Sequence, residues 1–422
     1  MIARTTATLL FFVGMAVLPA RAASPTGPGD PLTHDRQAFD EIERGRYLAT
    51  AADCTACHTQ NGGKPFAGGR KLPTPFGLLL APNITPDYET GIGRWSDDDF
   101  VSAMRRGVGP GGMHLYPAMP YPYFTRMTRK DVLAIRAYLN TIEPVRHEVN
   151  ANQLPFPFRI RASMFGWNTL FFSPGEFQAN PGKSEEWNRG AYLVEGPGHC
   201  GACHTPKNFL GGDKTSERLE GGVLVGWYSP NLTADERIGV GTWSADDIVG
   251  YLKTGHNRHA AATGPMAEVI QNSTSKLFDD DLKAIAVYLK DQPPPQREKL
   301  SPVAQDEPVM KRGQAIYVDN CAACHGGDGR GVANLFPTLK DSPVVQAKDP
   351  TTLLQIVIHG TRNVATDPAP TAPAMPAFGW RLSDDEIAAV LAYIRNSWGN
   401  AAATVAADDV SKRRPQLTET TP

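Results

Sequence analysis

All six cysteines of the chain belong to three copies of one short pattern, in which two cysteines are separated by two residues and followed at once by a histidine. This pattern is typical of covalent c-type haem attachment, because two thiols can join the two vinyl groups of one porphyrin while the next histidine lies beneath the iron. The sequence therefore predicts three covalently bound haem c groups, with His58, His204 and His325 as proximal ligands. The copies are Cys54-Thr55-Ala56-Cys57-His58, Cys200-Gly201-Ala202-Cys203-His204 and Cys321-Ala322-Ala323-Cys324-His325.

Other uses of paired cysteines were weighed against haem attachment. A thioredoxin-like dithiol needs a βαβ context, and zinc needs further cysteine or histidine ligands at suitable spacing. Structural disulfides are favoured in oxidising compartments, but disulfides within these motifs would close only very small loops. Because three copies of the pattern use every cysteine, haem attachment is the preferred interpretation.

Three methionines have the surroundings expected of a second iron ligand, since electron-transfer cytochromes often place methionine opposite histidine. Met119 and Met375 each lie in a Pro-Ala-Met-Pro sequence, and Met266 follows Gly264-Pro265. Met119 and Met266 follow their motif histidines by 61 and 62 residues, and Met375 follows its own by 50. We predict these three as the distal ligands. Because methionine is often core filler, the first unit leaves three alternatives open: Met104, Met113 and Met127.

Some further patterns carry less weight. Residues 107–112 fit G-x-G-x-x-G, but they follow a predicted helix and contain proline, so a nucleotide site is not expected. Trp95 and Trp243 could donate to haem propionates, although packing accounts for them equally well. Four other histidines are expected at the surface or beside the haems rather than on iron: His199, His256, His259 and His359.

The composition excludes several classes of protein. The chain has 422 residues, 41% of them hydrophobic, and a formal net charge of -2. This apolar content suffices for several small cores, but it excludes a polytopic membrane protein and a wholly disordered chain. Without a net basic charge to attract phosphates, we expect no nucleic-acid partner.

The first residues have the features of a secretory signal. Arg4 precedes Leu9–Leu18, an apolar run that is too short to span a membrane. Small residues at Ala20 and Ala22 favour cleavage after Ala22, with Ala23 nearly as suitable; an uncleaved anchor is the alternative. We predict a signal peptide over residues 1–22 and export to the periplasm.

Internal similarity divides the chain into three units. Pro82-Asn83-Ile84-Thr85 recurs 148 residues later as Pro230-Asn231-Leu232-Thr233, close to the offset between the first two cysteine motifs. Each unit closes with an apolar pattern of helical period, as at Val132, Ile135 and Leu139. The pattern predicts an all-α fold with three tandem domains at residues 40–143, 185–290 and 309–399. Between and after them we predict an apolar inter-domain segment (144–184), a Pro-rich linker (291–308) and a polar tail (400–422).

The residues around the motifs resemble a known family. The likeness is specific at Gly190–Gly196, which leads into the second motif, at Met375–Trp380, and at Tyr393–Gly399. The chain resembles the triheme cytochrome c subunit of bacterial membrane-bound dehydrogenases, which include quinoprotein alcohol dehydrogenase and flavoprotein gluconate, sorbitol and fructose dehydrogenases. The resemblance implies three tandem cytochrome c domains, and its haem-binding residues fall on the six cysteines, three histidines and three methionines already named.

The same resemblance implies an electron relay with no catalytic residue of its own. A quinoprotein or flavoprotein dehydrogenase subunit would oxidise an alcohol, polyol or sugar, and this chain would pass the electrons to ubiquinone or an oxidase. It would lie at the periplasmic face of the inner membrane in peripheral contact, although residues 400–422 lack the amphipathic stretch that relatives often carry there. A molybdenum-containing partner, a free periplasmic electron carrier and a multihaem peroxidase are the alternatives.

Overall fold

The computed structural model of the protein describes residues 31–224, 226–296 and 300–418. The predicted signal peptide at residues 1–22 lies outside these ranges and stays a prediction. From Glu41 onward, the described residues form one compact unit in which three groups of helices follow one another; we call these groups the first, second and third domains. No helix in the described ranges has the length and apolar character needed to cross a membrane.

The first domain begins with a helix that leads into the first cysteine motif and ends with a helix that packs back on it. Its helices are α1 (Pro31–Ala51), α2 (Cys54–His58), α3 (Asp97–Arg106), α4 (Tyr121–Phe124) and α5 (Arg129–Leu139). Its short antiparallel strand pairs are β1 (Lys71–Thr74) with β2 (Gly77–Leu80), and β3 (Val108–Gly109) with β4 (Met113–His114).

The inter-domain segment contributes β5 (Asn152–Gln153), which pairs with β2, and α6 (Ser163–Phe171). It contacts both neighbours: the Tyr121 hydroxyl donates to Asn168 Oδ1 at 2.6 Å, and Trp167 Nε1 donates to the Leu210 carbonyl at 3.0 Å. However, no residue of α6 is buried, so its apolar side chains are only partly used in packing.

The second domain repeats the plan of the first. Its helices are α7 (Glu185–Glu195), α8 (Gly201–His204), α9 (Ala245–Thr254), α10 (Pro265–Asn272) and α11 (Asp279–Lys290), and its strands are β6 (Gly222–Leu224) and β7 (Trp227–Ser229). The third domain contains α12 (Pro308–Asn320), α13 (Ala322–His325), α14 (Pro343–Gln346), α15 (Thr351–His359) and α16 (Asp384–Arg395), with strands β8 (Thr361–Arg362) and β9 (Ala374–Met375).

In all three domains the first and last long helices cross at a glycine. A Cβ atom built on Gly45 would lie 1.8 Å from the Ala134 carbonyl oxygen, so only glycine allows this approach. The equivalent distances are 1.9 Å from Gly190 to Ala284 and 2.2 Å from Gly313 to Ala389. The predicted apolar faces of the closing helices are buried in these crossings, as Val132, Leu282 and Ile387 show. The three domains therefore share one helix-packing scheme.

The prediction of an all-α fold needs a correction. The described ranges contain nine strands of two to four residues, arranged as one three-stranded sheet and three two-stranded hairpins. Such strands are too short for an alternating apolar pattern to appear in the sequence. They form where the chain turns between helices.

The prediction of a polar tail at residues 400–422 also needs correction. In the described part of the tail, Val405 and Val410 are buried in the core of the third domain, and α17 covers Ala407–Thr418. The basic cluster is not free either, since Arg414 Nε donates to Asp384 Oδ1 at 2.9 Å. Both apolar and polar contacts therefore hold this largely polar segment against the third domain.

Candidate haem sites

The three motif histidines are held in the same way. The Nδ1 atom of His58 lies 2.7 Å from the Pro82 carbonyl oxygen. A carbonyl oxygen can only accept a hydrogen bond, so Nδ1 carries the proton and Nε2 presents its lone pair. The matching contacts are 2.6 Å from His204 to Pro230 and 3.0 Å from His325 to Pro337. Metal-binding histidines commonly have such a carbonyl partner, so all three fit a role as iron ligands.

A second hydrogen bond fixes each motif from the other side. The main-chain carbonyl of His58 accepts from the Gly68 N–H at 2.8 Å. In the second and third domains, Gly221 and Gly331 donate to His204 and His325, also at 2.8 Å. Protein contacts alone therefore hold each histidine at both its ring and its backbone.

The proline carbonyls are positioned by the repeated Pro-Asn segments. Asn83 Oδ1 accepts from the Thr85 N–H at 2.9 Å, and Asn231 Oδ1 accepts from the Thr233 N–H at 2.6 Å. These side-chain turns stabilise the loops in which Pro82 and Pro230 lie. The sequence repeat marked both segments, but it gave no sign that their proline carbonyls face the histidines. In the third domain, Pro337 takes this place without the asparagine.

Burial keeps the three imidazole rings uncharged and the first thiol of each motif protonated. Loss of solvation lowers the pKa of all three motif histidines, that of His204 to about 4, so neutral imidazoles are present at physiological pH. Loss of solvation raises the pKa of Cys54 and Cys200 to about 12 and that of Cys321 to about 11. All six cysteines are free thiols in the structure. The motifs therefore offer unpaired thiols beside a neutral imidazole, which is the donor set that c-type haem attachment requires.

The predicted methionines follow three helices that end in the same way: Met119 and Met266 lie after a hairpin, and Met375 lies in β9, the second strand of its hairpin. Helices α3, α9 and α15 each end at a glycine with positive φ, namely Gly107 (64°), Gly255 (83°) and Gly360 (70°). After the first two, the chain turns back in the same manner, since Leu115 N donates to the Gly107 carbonyl at 2.8 Å and Ala262 N to the Gly255 carbonyl at 2.7 Å. The G-x-G-x-x-G sequence at 107–112 is this hairpin.

Two of the methionines share an apolar core with a cysteine of their own motif. Met119 packs against the same apolar core as Cys54, and Met375 packs against the same core as Cys321. Met266, at the start of α10, instead joins a small cluster with Ile270 and Val364, separate from the core that Cys200 contacts. Tyr251 contacts both of these clusters and so connects them.

The alternative methionines of the first domain occupy other positions. Met104 and Met127 are buried within the core, whereas Met113 is exposed on β4. Their surroundings are those of packing and surface residues, and none of them lies in a Pro-Ala-Met-Pro loop.

Trp243 offers a specific fit for a haem. Its side chain is buried, and among the described residues its Nε1 donor has no hydrogen-bond partner. The indole stacks on His259 with ring centroids 5.1 Å apart. A buried donor without an acceptor is rare in a native protein, and a haem propionate would supply that acceptor. The second domain therefore fits a haem at this position.

The first two motifs are brought together by a reciprocal contact that the sequence did not reveal. The Tyr47 hydroxyl, on α1, donates to Asp281 of the second domain at 2.5 Å, where Arg189 also donates at 2.7 Å. In the reciprocal contact, the Tyr192 hydroxyl of the second domain donates to Asp131 of the first domain. Arg44 Nε donates to that same carboxylate at 2.7 Å. Each domain thus supplies a tyrosine to the Arg–Asp pair of the other.

Further contacts hold α10 of the second domain against α2 of the first. Arg70 pairs with Glu268 at 2.7 Å, and Ser273 Oγ donates to the Ala51 carbonyl at 3.3 Å. Asp53, next to the first motif, is buried with one carboxylate oxygen unpartnered within the described ranges. Its burial and the nearby charge of Glu268 raise its pKa to about 8.

Comparison with known proteins agrees with this geometry. The sequence profile of the cytochrome c family matches residues 42–143 and 310–398. The chain is 42% identical to the gluconate 2-dehydrogenase cytochrome c subunit of Pantoea cypripedii, over 91% of this chain and 92% of that protein.

Two further relatives are similar over most of their length. The cytochrome c subunit of the quinone-dependent alcohol dehydrogenase of Gluconobacter oxydans is 41% identical over 88% of this chain and 82% of its own. The fructose dehydrogenase cytochrome subunit of Gluconobacter japonicus is 37% identical over 96% of this chain and 88% of its own. At these identities and coverages, the chain belongs to the cytochrome c family, in the group formed by the cytochrome c subunits of such dehydrogenases.

Proposed function

We propose that the chain binds three haem c groups and relays electrons from a catalytic dehydrogenase subunit to ubiquinone or a terminal oxidase. The observation that carries the proposal is the threefold repetition of one arrangement, a histidine whose Nδ1 is bound to a proline carbonyl beside two free thiols. The relatives are named as cytochrome subunits of gluconate, alcohol and fructose dehydrogenases, which supports a partner that oxidises a CH–OH donor.

The chain's own residues would hold the haems and set their properties. The cysteines of each motif would form thioethers, and His58, His204 and His325 would bind iron through Nε2. Met119, Met266 and Met375 would supply the opposite ligands and raise the reduction potential relative to two histidines. When bound, haem c supplies reversible one-electron transfer.

The place of this relay is also part of the proposal. We propose that the mature chain is exported and lies in the periplasm, in peripheral contact with the inner membrane. Its partner would be a quinoprotein or flavoprotein dehydrogenase subunit, and the names of the relatives as subunits of alcohol and fructose dehydrogenases support a dehydrogenase partner. Substrate chemistry would take place on that subunit.

A stoichiometry experiment tests the haem count. A pyridine haemochrome assay on the purified protein, normalised to protein mass, is expected to give three haems per chain. The Cys200→Ser/Cys203→Ser variant is expected to give two, because the second motif would hold no haem covalently. Fewer than three haems in the wild-type protein would refute the triheme assignment.

The direction of electron flow needs a second experiment. Mixed with its dehydrogenase and that enzyme's substrate, the cytochrome is expected to become reduced at all three haems. The purified chain alone is expected to oxidise no alcohol or sugar. Substrate oxidation by the isolated chain would overturn the relay and favour an enzyme.

A further inference from the structure

We propose that an aromatic face formed by residues 155–172 and the loop 205–214 docks on the surface of an anionic phospholipid bilayer. This face lies outside the haem-binding residues. Its place in an electron relay rests on the proposed function, whereas the docking itself depends only on the surface described here.

The two segments of the face expose several large apolar side chains. Phe156 is 71% exposed, Phe165 is 68% exposed and Leu170 is 69% exposed, while Phe209 on the loop is 87% exposed. Helix α6, to which Phe165 and Leu170 belong, has no buried residue although its sequence is strongly apolar. Isolated exposed apolar side chains are ordinary, but a group of them on one surface indicates an interaction site.

The two segments of the face are joined by direct contacts. Trp167 Nε1 on α6 donates to the Leu210 carbonyl of the loop at 3.0 Å. Phe76 packs on Phe158 with ring centroids 5.2 Å apart, and it also lies beside Gly211. The exposed side chains therefore stand on an ordered surface.

The charge of the face points to an anionic partner. Residues 155–172 contain Arg159 and Arg161 and no acidic residue, and the loop contains Lys207 and Lys214 against Asp213. In the loop, Lys207 pairs with Asp213 and Lys214 pairs with Glu217. Arg159 and Arg161 therefore give the face its positive charge, although the whole chain carries -2. Basic and aromatic residues side by side are the combination that binds the interface of membranes with anionic lipids.

The shape of the exposed groups favours a bilayer over a second protein. Phe209 is on a loop, and Phe156 lies between two prolines, so both side chains project from irregular segments rather than line a groove. Protruding aromatic side chains can enter the fluid headgroup region without a complementary hollow, which a rigid protein partner would have to supply.

The face also lies against the first two haem sites. Asn168 of α6 accepts from Tyr121, two residues after Met119. The loop follows His204 directly, and Lys207 donates to the carbonyl of Gly201 in the second motif at 3.2 Å. Docking through this face would place both sites next to the membrane, where a lipid-soluble acceptor resides.

Vesicle binding tests the proposal with the purified holoprotein. The probe is phosphatidylcholine vesicles that contain phosphatidylglycerol, compared with pure phosphatidylcholine vesicles in a co-sedimentation assay. The wild-type protein is expected to bind the anionic vesicles and to be released by high salt. The Phe165→Ser/Leu170→Ser/Phe209→Ser variant is expected to bind at least tenfold more weakly.

The matched control removes exposed apolar side chains elsewhere. Trp380→Ser/Val318→Ser changes two strongly exposed side chains of the third domain and is expected to bind like the wild type. Wild-type protein that ignores anionic vesicles, or a triple variant that binds them normally, would overturn the proposal. If the triple variant binds vesicles normally and is no longer reduced by the dehydrogenase, the face docks a protein instead of a bilayer. Haem content measured on the same samples tests the proposed function separately.

Discussion

The proximal histidines are oriented by groups that a motif search does not see. In each domain the imidazole bonds to a proline carbonyl and the histidine backbone bonds to a glycine N–H. Pre-orientation of this kind reduces the entropy lost when a metal ligand is fixed, and it determines the tautomer. The thiols alone would attach a haem, but these contacts fix the position of the imidazole that would bind its iron.

The distal ligands give the first prediction at the scale of single residues. Leucine in place of Met119, Met266 or Met375 keeps the side-chain volume but removes the sulfur. We expect each variant to lose part of the charge-transfer absorption of Met-ligated ferric haem and to lower one midpoint potential, because thioether ligation raises it. A spectroelectrochemical titration of the holoprotein measures both.

The alternative methionines serve as controls for this titration. Met113→Leu changes an exposed side chain and Met127→Leu a buried core side chain, so neither is expected to alter a potential substantially. A Met119→Leu variant that titrates like the wild type, together with an altered Met113→Leu variant, would reassign the ligand of the first haem.

At the scale of secondary structure elements, the glycine crossings lead to a sharp prediction. Alanine at Gly190 would place a Cβ 1.9 Å from the Ala284 carbonyl oxygen, so α7 and α11 must separate. We expect Gly190→Ala to lower the free energy of unfolding by about 3 kcal/mol, the upper end of the usual cost of overpacking, because the Cβ would meet backbone rather than a movable side chain. Urea denaturation followed by circular dichroism gives the value.

Gly250 provides the matched control for this substitution. It also lies inside a helix, α9, but a Cβ built there meets no atom within 4 Å. Gly250→Ala is therefore expected to be stabilising by roughly 0.5–1 kcal/mol, because alanine loses less backbone entropy than glycine. Equal effects of the two substitutions would show that the crossing is looser than the structure indicates.

The packing of α17, the helix of the tail, leads to a separate prediction. Val410 of α17 is fully buried in the core of the third domain. Val410→Ala is expected to lower the free energy of unfolding by about 1–2 kcal/mol through lost apolar burial. Val318→Ala, on the exposed side of α12, is the control. If both substitutions change the free energy of unfolding equally little, Val410 does not contribute to that core.

At the scale of the whole molecule, the exchanged tyrosines make the first two domains stabilise each other. Removal of a hydroxyl from a buried carboxylate leaves an acceptor unsatisfied. Tyr47→Phe or Tyr192→Phe is therefore expected to cost about 1–3 kcal/mol of unfolding free energy. Tyr88→Phe, at an exposed position, is the control. Variants as stable as the wild type would show that the two domains are held by other contacts.

The same contact has a pH signature. Burial alone would raise the pKa of Asp281, but hydrogen bonds from Arg189 and Tyr47 more than offset this, so its pKa lies below the ordinary value. The unfolded chain then binds more protons in acid, so the stability due to this carboxylate is complete above the ordinary pKa of about 4 and is lost as pH falls from there through the lower pKa of the folded state. Between about pH 5 and pH 3, the wild type is expected to lose more stability than Asp281→Asn. A parallel loss in both proteins would contradict the assignment.

The sequence was informative where chemistry is local. Consecutive residues specify the cysteine motifs, and helical periodicity specifies the closing helices, so both could be predicted. The carbonyl of Pro337 meets a histidine 12 residues earlier, and the Tyr47 hydroxyl meets Asp281, 234 residues later. The burial of Val410 likewise depends on residues of other elements. No spacing rule brings such residues together, because their proximity is a product of tertiary packing.

The third domain differs from the other two at one position, and the difference has a consequence for assembly. Counted from the crossing glycines, Tyr47 and Tyr192 correspond to Ala315, although Arg312 is retained. A surface that is its own complement is saturated by a single copy, as in a two-fold dimer. The first two domains therefore form a closed pair with no such surface left to offer. The third domain meets the second through unlike contacts, such as the hydrogen bond from Arg237 to Gln346 Oε1 at 2.9 Å, and it does so without a tyrosine at the position of Ala315.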